Sequence, residues 1–86
     1  MKNIDPKKYN LSSRIQLQEN SFGRLFLIID RKSRIIMKDG LRILKIVNTI
    51  KQVEKNTSIS VLTSAPICSK TKLFLSESNI EIKVLS

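Results

Sequence analysis

The segment Leu25–Ile29 constrains the fold of this chain most, because it is an unbroken apolar run. A strand with one wet face alternates apolar and polar residues, whereas a continuous apolar run is typical of a strand covered on both faces of a parallel sheet. Parallel neighbours need a long crossover connection, which is usually a helix. The run therefore predicts an α/β protein with a helix directly after this strand.

A long amphipathic helix is indeed predicted after it. Ser33 is a suitable N-cap, and Asn56 is expected to end the helix. Gly40 lies inside the pattern at a cost of about 1 kcal/mol relative to Ala. A break at Gly40 would instead make 34–37 a second strand, but the apolar stripe keeps its phase across it, which favours one helix. When residues 34–55 are placed at about 100° per residue, the stripe consists of Ile35, Ile36, Ile43, Ile46, Val47, Ile50 and Val53.

Two further strands and a second helix complete the pattern. Residues 58–63 are predicted to form the second strand, and the alternating segment 80–85 the third. Pro66 suits the first turn of a helix between them, and Asn79 suits its C-terminal cap. Right-handed crossovers would make the strands parallel. The sequence thus predicts a small β-α-β-α-β unit, with a three-stranded, mostly parallel sheet and two helices, over residues 23–86.

Residues 1–22 are predicted to be a basic, partly flexible N-terminal arm. Ser12 and Ser13 interrupt any periodicity in this segment. Ile15 and Leu17 alternate with polar residues, which indicates at most a short edge strand. The arm is expected to order on the domain or on a partner.

Charge indicates the class of partner. The 86 residues contain 16 Lys and Arg against 7 Asp and Glu, a formal net charge of +9. This excess favours an anionic partner, namely RNA or DNA, a ribonucleoprotein or an acidic protein surface. A protein of this size and charge is also suited to be a component of a larger complex. Coding bias toward Lys is the alternative explanation of the charge.

Several function classes are excluded by residues that the chain lacks. It has one cysteine and no histidine, so it has no internal disulfide, no common zinc site and no Ser-His-Asp or Cys-His catalytic set. It also lacks a Gly-rich phosphate loop. We therefore predict a non-enzymatic protein without cofactor or metal. No segment is apolar enough to span a membrane. We expect a soluble intracellular protein of the cytoplasm or an organelle stroma. The amino-acid composition resembles that of proteins encoded by AT-rich genomes such as those of plastids.

Basic, hydroxyl-rich turns follow the first two predicted strands. If these strands are parallel, both turns lie at the end of the sheet where open α/β sheets carry their sites. Predicted helix N-termini there would offer free amides to an anion. A basic row on the first helix, formed by Arg34, Lys38, Arg42 and Lys45, would contact phosphates. The alternative interpretations are ordinary N-capping by the serines and a solvated helix face. The predicted anion-binding residues are Arg31, Lys32, Ser33, Arg34, Lys38, Arg42, Lys45, Ser64 and Lys70.

Cys68 supports an alternative function. A place in the first turn of the second helix, near Lys70, would lower the pKa of its thiol. The segment Ala65–Leu75 resembles the active-site turn and helix of glutaredoxins, in the thioredoxin-like group, with Ala65 at the position of the attacking cysteine. The resemblance implies a small thiol-based or phosphate-binding α/β protein that uses Cys68. A half-buried structural cysteine is the other interpretation.

Overall fold

The apolar run Leu25–Ile29 forms the central strand of a five-stranded sheet in the computed structural model, which describes residues 1–85. A 3-10 helix at Pro6–Tyr9 follows the first strand. The predicted domain extends to Ser86, which lies outside the described residues. The strands and α-helices, in chain order, are β1 (Lys2–Ile4), β2 (Gln16–Glu19), β3 (Leu25–Ile29), α1 (Met37–Val53), β4 (Ile59–Thr63), α2 (Ser69–Glu77) and β5 (Glu81–Val84).

The sheet is mixed, with its strands side by side in chain order. The β1–β2 and β2–β3 pairs are antiparallel, whereas β3–β4 and β4–β5 are parallel. The predicted α/β class and the parallel β3-α1-β4-α2-β5 unit are therefore confirmed. The prediction of three strands is wrong, because two antiparallel strands extend the sheet beyond β3.

Both additional strands come from the segment predicted as an arm. Leu17 is buried and pairs with Leu27 across β2 and β3, which anchors the segment on the sheet. The turn between these strands is fixed by Asn20, whose side-chain oxygen accepts hydrogen bonds from two backbone amides, at 3.0 and 2.9 Å. Gly23 has a φ of 80°, which glycine adopts without strain. The short edge strand indicated by Ile15 and Leu17 is present as β2, but its one buried residue, Leu17, left too weak a signal to predict its pairing with β3 or the additional strand β1.

The helices cover one face of the sheet. Right-handed crossovers that step from β3 to β4 to β5 in one direction place both helices on the same side, and α1 and α2 contact each other there. The core between helices and sheet includes Leu25 and Val61 from the strands and Ile43 and Ile50 from α1, all buried. No helix within residues 1–85 has the length and apolar character needed to cross a membrane.

The start of α1 differs from the prediction. Ile35 and Ile36 are extended, and Ile35 forms a parallel bridge with Ile67. The side chain of Asp39 accepts a hydrogen bond of 3.0 Å from the Ile36 amide and so caps the helix. Ser33 is therefore not the N-cap, and Ile36 is exposed instead of lying in the core stripe. Burial of Ile35 beside α2 in an extended conformation is favoured over a helix that would begin at residue 34, as the apolar pattern had predicted.

The second helix also begins later than predicted. It starts at Ser69 with Cys68 as its N-cap residue, so Pro66 lies in the preceding loop and not in the first turn. The Ser64 hydroxyl donates a hydrogen bond of 2.5 Å to Asp30, so it joins two loops and does not cap a helix. Asn79 follows the helix with a φ of 62°, the left-handed conformation that commonly ends helices.

Gly40 lies where α1 packs closely against α2. A methyl group at this position would lie 2.8 Å from Cγ2 of Thr71, whose side chain is buried. Thr71 is β-branched and therefore stiff at its first side-chain torsion. Packing against Thr71 thus favours glycine at this position, in the first turn of α1, even though its intrinsic helix propensity is poor.

Tyr9 fastens the 3-10 helix to the end of α1. Its ring is buried, and its hydroxyl donates a hydrogen bond of 2.9 Å to the carboxylate of Glu54. The same carboxylate accepts from the Thr57 hydroxyl at 2.9 Å and pairs with Lys8 at 3.1 Å. These three partners, Thr57 foremost, lower the pKa of Glu54. Burial, followed by the Glu54 hydrogen bond, raises the pKa of Tyr9.

The change Gly40→Ala should destabilise the protein. Overpacking typically costs about 1–3 kcal/mol, which exceeds the roughly 1 kcal/mol that alanine gains in helix propensity. Thr71→Ser removes the clashing methyl group and keeps the hydroxyl. Urea denaturation of both single variants and the double variant should show that Gly40→Ala costs less in the Thr71→Ser background. Equal costs in the two backgrounds would contradict the packing explanation.

The change Tyr9→Phe should make stability less dependent on acid pH. A carboxyl whose pKa is lowered by folding contributes stability above its unfolded pKa, and that contribution is lost as pH falls through the folded pKa. Phenylalanine keeps the ring and removes one hydrogen bond to Glu54, at a cost of about 1 kcal/mol near neutral pH. The free energy of unfolding, measured by urea denaturation, should then fall less for the variant than for the wild type between about pH 5 and pH 3. Parallel pH profiles would refute this role of the Tyr9–Glu54 bond.

Candidate anion-binding groove

The strand directions gather basic residues at one end of the sheet. The parallel strands β3, β4 and β5 end there, and antiparallel β2 begins there, because Gln16 pairs with Ile28 near the end of β3. We call this the carboxyl end of the sheet, and the opposite one the amino end. Arg14, just before β2, therefore lies beside the first predicted turn. Sequence reasoning missed Arg14, because pairing of β2 with β3 was not predicted.

A groove runs from this end along α1. Its first part is a cavity of about 160 Å³ between the ends of β2 and β3 and the start of α1. Its second part is a depression of about 380 Å³ between α1 and residues 10–12. Arg42 and Ile46 line both parts, so the two adjoin at these residues. We define the cationic groove by the basic residues that line it: Arg14, Arg31, Arg42 and Lys45.

The basic row predicted on the first helix is present, but it is shorter than predicted. Lys38, Arg42 and Lys45 are spaced by four and three residues on α1, which places them on one face, and all three are exposed. Arg34 precedes the helix and does not continue the row. None of these four residues takes part in a salt bridge among residues 1–85.

Arg31 mainly organises the loop that it begins. Its guanidinium donates to the backbone oxygens of Ser33 and Arg34, each at 3.2 Å, and to Asp39 at 2.7 Å. The Arg31 hydrogen bond, followed by that from the Ile36 amide, lowers the pKa of the Asp39 carboxyl. Arg31 thus reaches the groove with part of its charge balanced by Asp39.

The other predicted residues surround the groove at the carboxyl end. Lys32, Ser33 and Arg34 are exposed in the loop that Arg31 organises, and Lys70 is exposed in the first turn of α2. Ser64 lies across from that loop, bonded to Asp30. The structure therefore brings all nine predicted residues to the carboxyl end or along α1, but neither serine is at a helix N-terminus.

Acidic residues balance basic ones mainly away from the groove. Near the amino end of the sheet, Glu54 pairs with Lys8 at 3.1 Å and Glu81 pairs with Arg24 at 3.2 Å. Glu81 also lies 3.3 Å from Lys83. Arg14, Lys38, Arg42 and Lys45, on the groove side, are in no salt bridge among residues 1–85, and neither are Lys2, Lys51 and Lys55 near the amino end.

Cys68 lies at the N-terminus of α2, partly exposed. Its sulfur is 2.7 Å from the hydroxyl oxygen of Thr71, and this contact, followed by the backbone amide of Thr71, lowers the pKa of the thiol. The prediction placed Cys68 in the first turn, whereas it is the residue before that turn. Because the chain has a single cysteine, the thiol has no partner for an internal disulfide.

The change Thr71→Val should slow alkylation of Cys68 at neutral pH. Valine keeps the shape and removes the hydroxyl that most lowers the pKa of the thiol, so less thiolate is present. Iodoacetamide alkylation measured against pH should show an apparent pKa that rises in Thr71→Val and stays near the wild-type value in Thr71→Ser. An unchanged profile in Thr71→Val would show that the hydroxyl does not act on the thiol.

The fold is similar to part of a larger solved protein. No protein-family model matches the chain, and no curated protein matches it in sequence. EndoMS, solved in complex with double-stranded DNA, superposes with a TM-score of 0.67 at 14% identity, over 83% of this chain and 30% of that chain. EndoMS in its apo form gives a TM-score of 0.66 at 14% identity, over 83% and 33%. The chain thus spans about a third of the length of these structures, and the likeness is one of fold.

Proposed function

We propose that this chain is a non-enzymatic binding module that contacts the phosphate backbone of a nucleic acid through the cationic groove and the basic row of α1. The observation that carries the proposal is the concentration of Arg14, Lys38, Arg42 and Lys45 on one side, with no salt bridge to them among residues 1–85. Cations of this kind displace counterions from a phosphate chain when they bind it.

The spacing of the row suits such a chain. An α-helix rises about 1.5 Å per residue, so Lys38 and Lys45 lie roughly 10 Å apart along the axis of α1. Phosphates along one strand of a duplex rise by about 3.4 Å each. The row therefore spans about three phosphate-to-phosphate steps of rise along the duplex axis. The fold likeness to a protein solved with double-stranded DNA is in keeping with this class of partner.

Two carboxylates near the groove have structural partners. Asp30 accepts a hydrogen bond from Ser64, and Asp39 accepts from Arg31 and from the Ile36 amide. In this site the acids shape the loops, and the free side chains are cationic. Such a module would be suited to a place in a larger nucleoprotein complex.

A thiol function at Cys68 is the second candidate. The lowered pKa of the thiol favours it. With one cysteine in the chain, this chemistry would need a thiol from another molecule. The change Cys68→Ser separates the two candidates, because it should leave nucleic-acid affinity unchanged if the groove carries the function.

Charge neutralisation on α1 should weaken nucleic-acid binding and its salt dependence. The triple variant Lys38→Gln, Arg42→Gln, Lys45→Gln is compared with a control of equal charge near the amino end, Lys2→Gln, Lys51→Gln, Lys55→Gln. Fluorescence anisotropy with labelled DNA and RNA is measured from about 50 to 200 mM salt, where wild-type affinity should fall steeply. The groove variant should bind more weakly, with its logarithmic salt slope reduced by up to about three, since each lost phosphate contact removes roughly 0.9.

The control should keep most of the wild-type affinity, and thermal denaturation should show that both triple variants are folded. Equal losses in the two triple variants would mean that net charge, and not the groove, determines binding. Salt-independent binding would exclude contact with phosphates. Binding to an acidic protein but to neither DNA nor RNA would overturn the nucleic-acid assignment.

A further inference from the structure

We propose that the outer edge of β5 pairs with β5 of a second copy of this chain, antiparallel and centred on Ile82, so that two sheets join into one. β5 is at one end of the strand order, and no strand among residues 1–85 covers its outer edge. An uncovered strand edge presents N–H and C=O groups that another strand can pair with. This surface is separate from the cationic groove, and the inference does not rest on the proposed function.

The backbone groups free for such pairing belong to Ile82 and Val84. β5 is parallel to β4, and alternate residues of a parallel strand direct their N–H and C=O groups at a given neighbour. Leu85 directs its groups at β4, because its amide donates a hydrogen bond of 2.9 Å to the carbonyl oxygen of Thr63. Lys83, two residues earlier, has the same phase. Ile82 and Val84 therefore direct their backbone groups away from β4.

The charges of β5 select one register. Glu81 and Lys83 lie on the same face of the sheet, with side chains 48% and 47% exposed. If Ile82 faces its own symmetry copy, Glu81 faces Lys83 of the second copy, and the two-fold axis makes this contact twice. Both are non-hydrogen-bonded pairs, in which Cα atoms are only about 4.5 Å apart and opposite charges stabilise the sheet.

The two neighbouring registers oppose like charges. A pairing centred on Lys83 places that lysine against Lys83 of the second copy, and a pairing centred on Glu81 places two carboxylates together. Like charges directly opposite each other destabilise a strand pair. Antiparallel pairing of β5 with itself is therefore favoured in the register centred on Ile82.

The same register covers exposed apolar surface. Val84 is 83% exposed, although the alternation of side chains puts it on the helix-covered face with Ile82. Ile82 packs against the core and is only partly buried. In the proposed pairing, Val84 is a diagonal neighbour of Ile82 of the second copy, within reach of a side-chain contact. Each copy thus shields apolar groups of the other.

The net charge of +9 opposes association of two copies, but β5 itself is balanced. A lone lysine at a sheet edge normally keeps other strands away. Here Glu81 is matched with Lys83, so residues 81–85 carry no net charge. β2, beside the groove, is three strand spacings or about 14 Å from β5. This distance exceeds the screening length of about 8 Å at physiological ionic strength.

Two charge variants and their mixture test the register. Glu81→Lys leaves two lysines on this face and Lys83→Glu leaves two glutamates, so each variant would oppose like charges in its own pairing. Sedimentation velocity is measured at about 150 mM salt, with protein up to about 1 mM because a short edge makes a small, weak interface. The wild type should dimerise, each variant alone should remain monomeric, and their equimolar mixture should dimerise.

The mixture is the decisive sample, because two lysines of one chain then face two glutamates of the other. A general effect of net charge would instead make Lys83→Glu, which is less positive by two, associate more strongly than the wild type. Thermal denaturation establishes that both variants are folded, since Glu81→Lys also removes the ion pair with Arg24.

The wild-type protein permits a direct measurement that needs no variant. In a sample with half of the molecules isotope-labelled, NMR should detect a nuclear Overhauser effect between the Hα of Glu81 in one copy and the Hα of Lys83 in the other. These protons approach each other across a non-hydrogen-bonded antiparallel pair. Within one extended strand they are two residues apart and do not meet.

Val84→Pro provides a third test, with Val84→Thr as its control. Proline removes the outward N–H and leaves the hydrogen bonds to β4 intact, which is why edge strands tolerate it. The proline variant should lose dimerisation, whereas the threonine variant, which keeps the N–H, should retain it.

Three results would each overturn the proposal. The first is a wild type that stays monomeric over the whole concentration range, which would leave this edge to a strand of another protein. The second is a dimer that persists in both charge variants, because another surface would then form it. The third is a mixture of the folded charge variants that stays monomeric, because the register requires that pairing.

Discussion

The arrangement of β3 between an antiparallel and a parallel neighbour determines where every candidate functional residue lies. Leu27, at the middle of this buried strand, pairs with Leu17 on one side and Val61 on the other. Because β2 runs antiparallel to β3, β2 starts where β3 ends. Because β4 runs parallel to β3, the chain must return to the amino end of the sheet through α1. Arg14 and Arg42, which are distant in sequence, consequently line one cavity. A parallel strand in the place of β2 would have put Arg14 at the opposite end of the sheet.

The parallel half of the fold could be predicted because its signals are long and periodic. The apolar run of β3 and the stripe of α1 each bury several residues, and both are present in the structure. The antiparallel half carries weaker signals, since β2 buries only Leu17, and β1 is three residues long. Tyr9 is buried in the core, and its hydroxyl donates to Glu54, a residue 45 positions away. No local pattern encodes a contact of that separation.

The candidate site, like the fold, could be predicted only in part. The row of Lys38, Arg42 and Lys45 could be predicted because helical spacing fixes it. The role of Arg31 could not, since it depends on the late start of α1 and on capping of that helix by Asp39. Ile35 and Ile36 illustrate the ambiguity, because helical projection placed both in the core, whereas the extended chain buries one and exposes the other.

The close contact between Gly40 and Thr71 has a consequence for the surface on the far side of α1. Gly40 brings α1 against α2, and Arg42 follows only two residues later. A residue larger than glycine would press on the Thr71 side chain, and any separation of the helices that relieved this contact would also shift the first turns of α1, which carry Lys38 and Arg42. The place of these two cations beside the strand ends therefore depends in part on the missing side chain at Gly40.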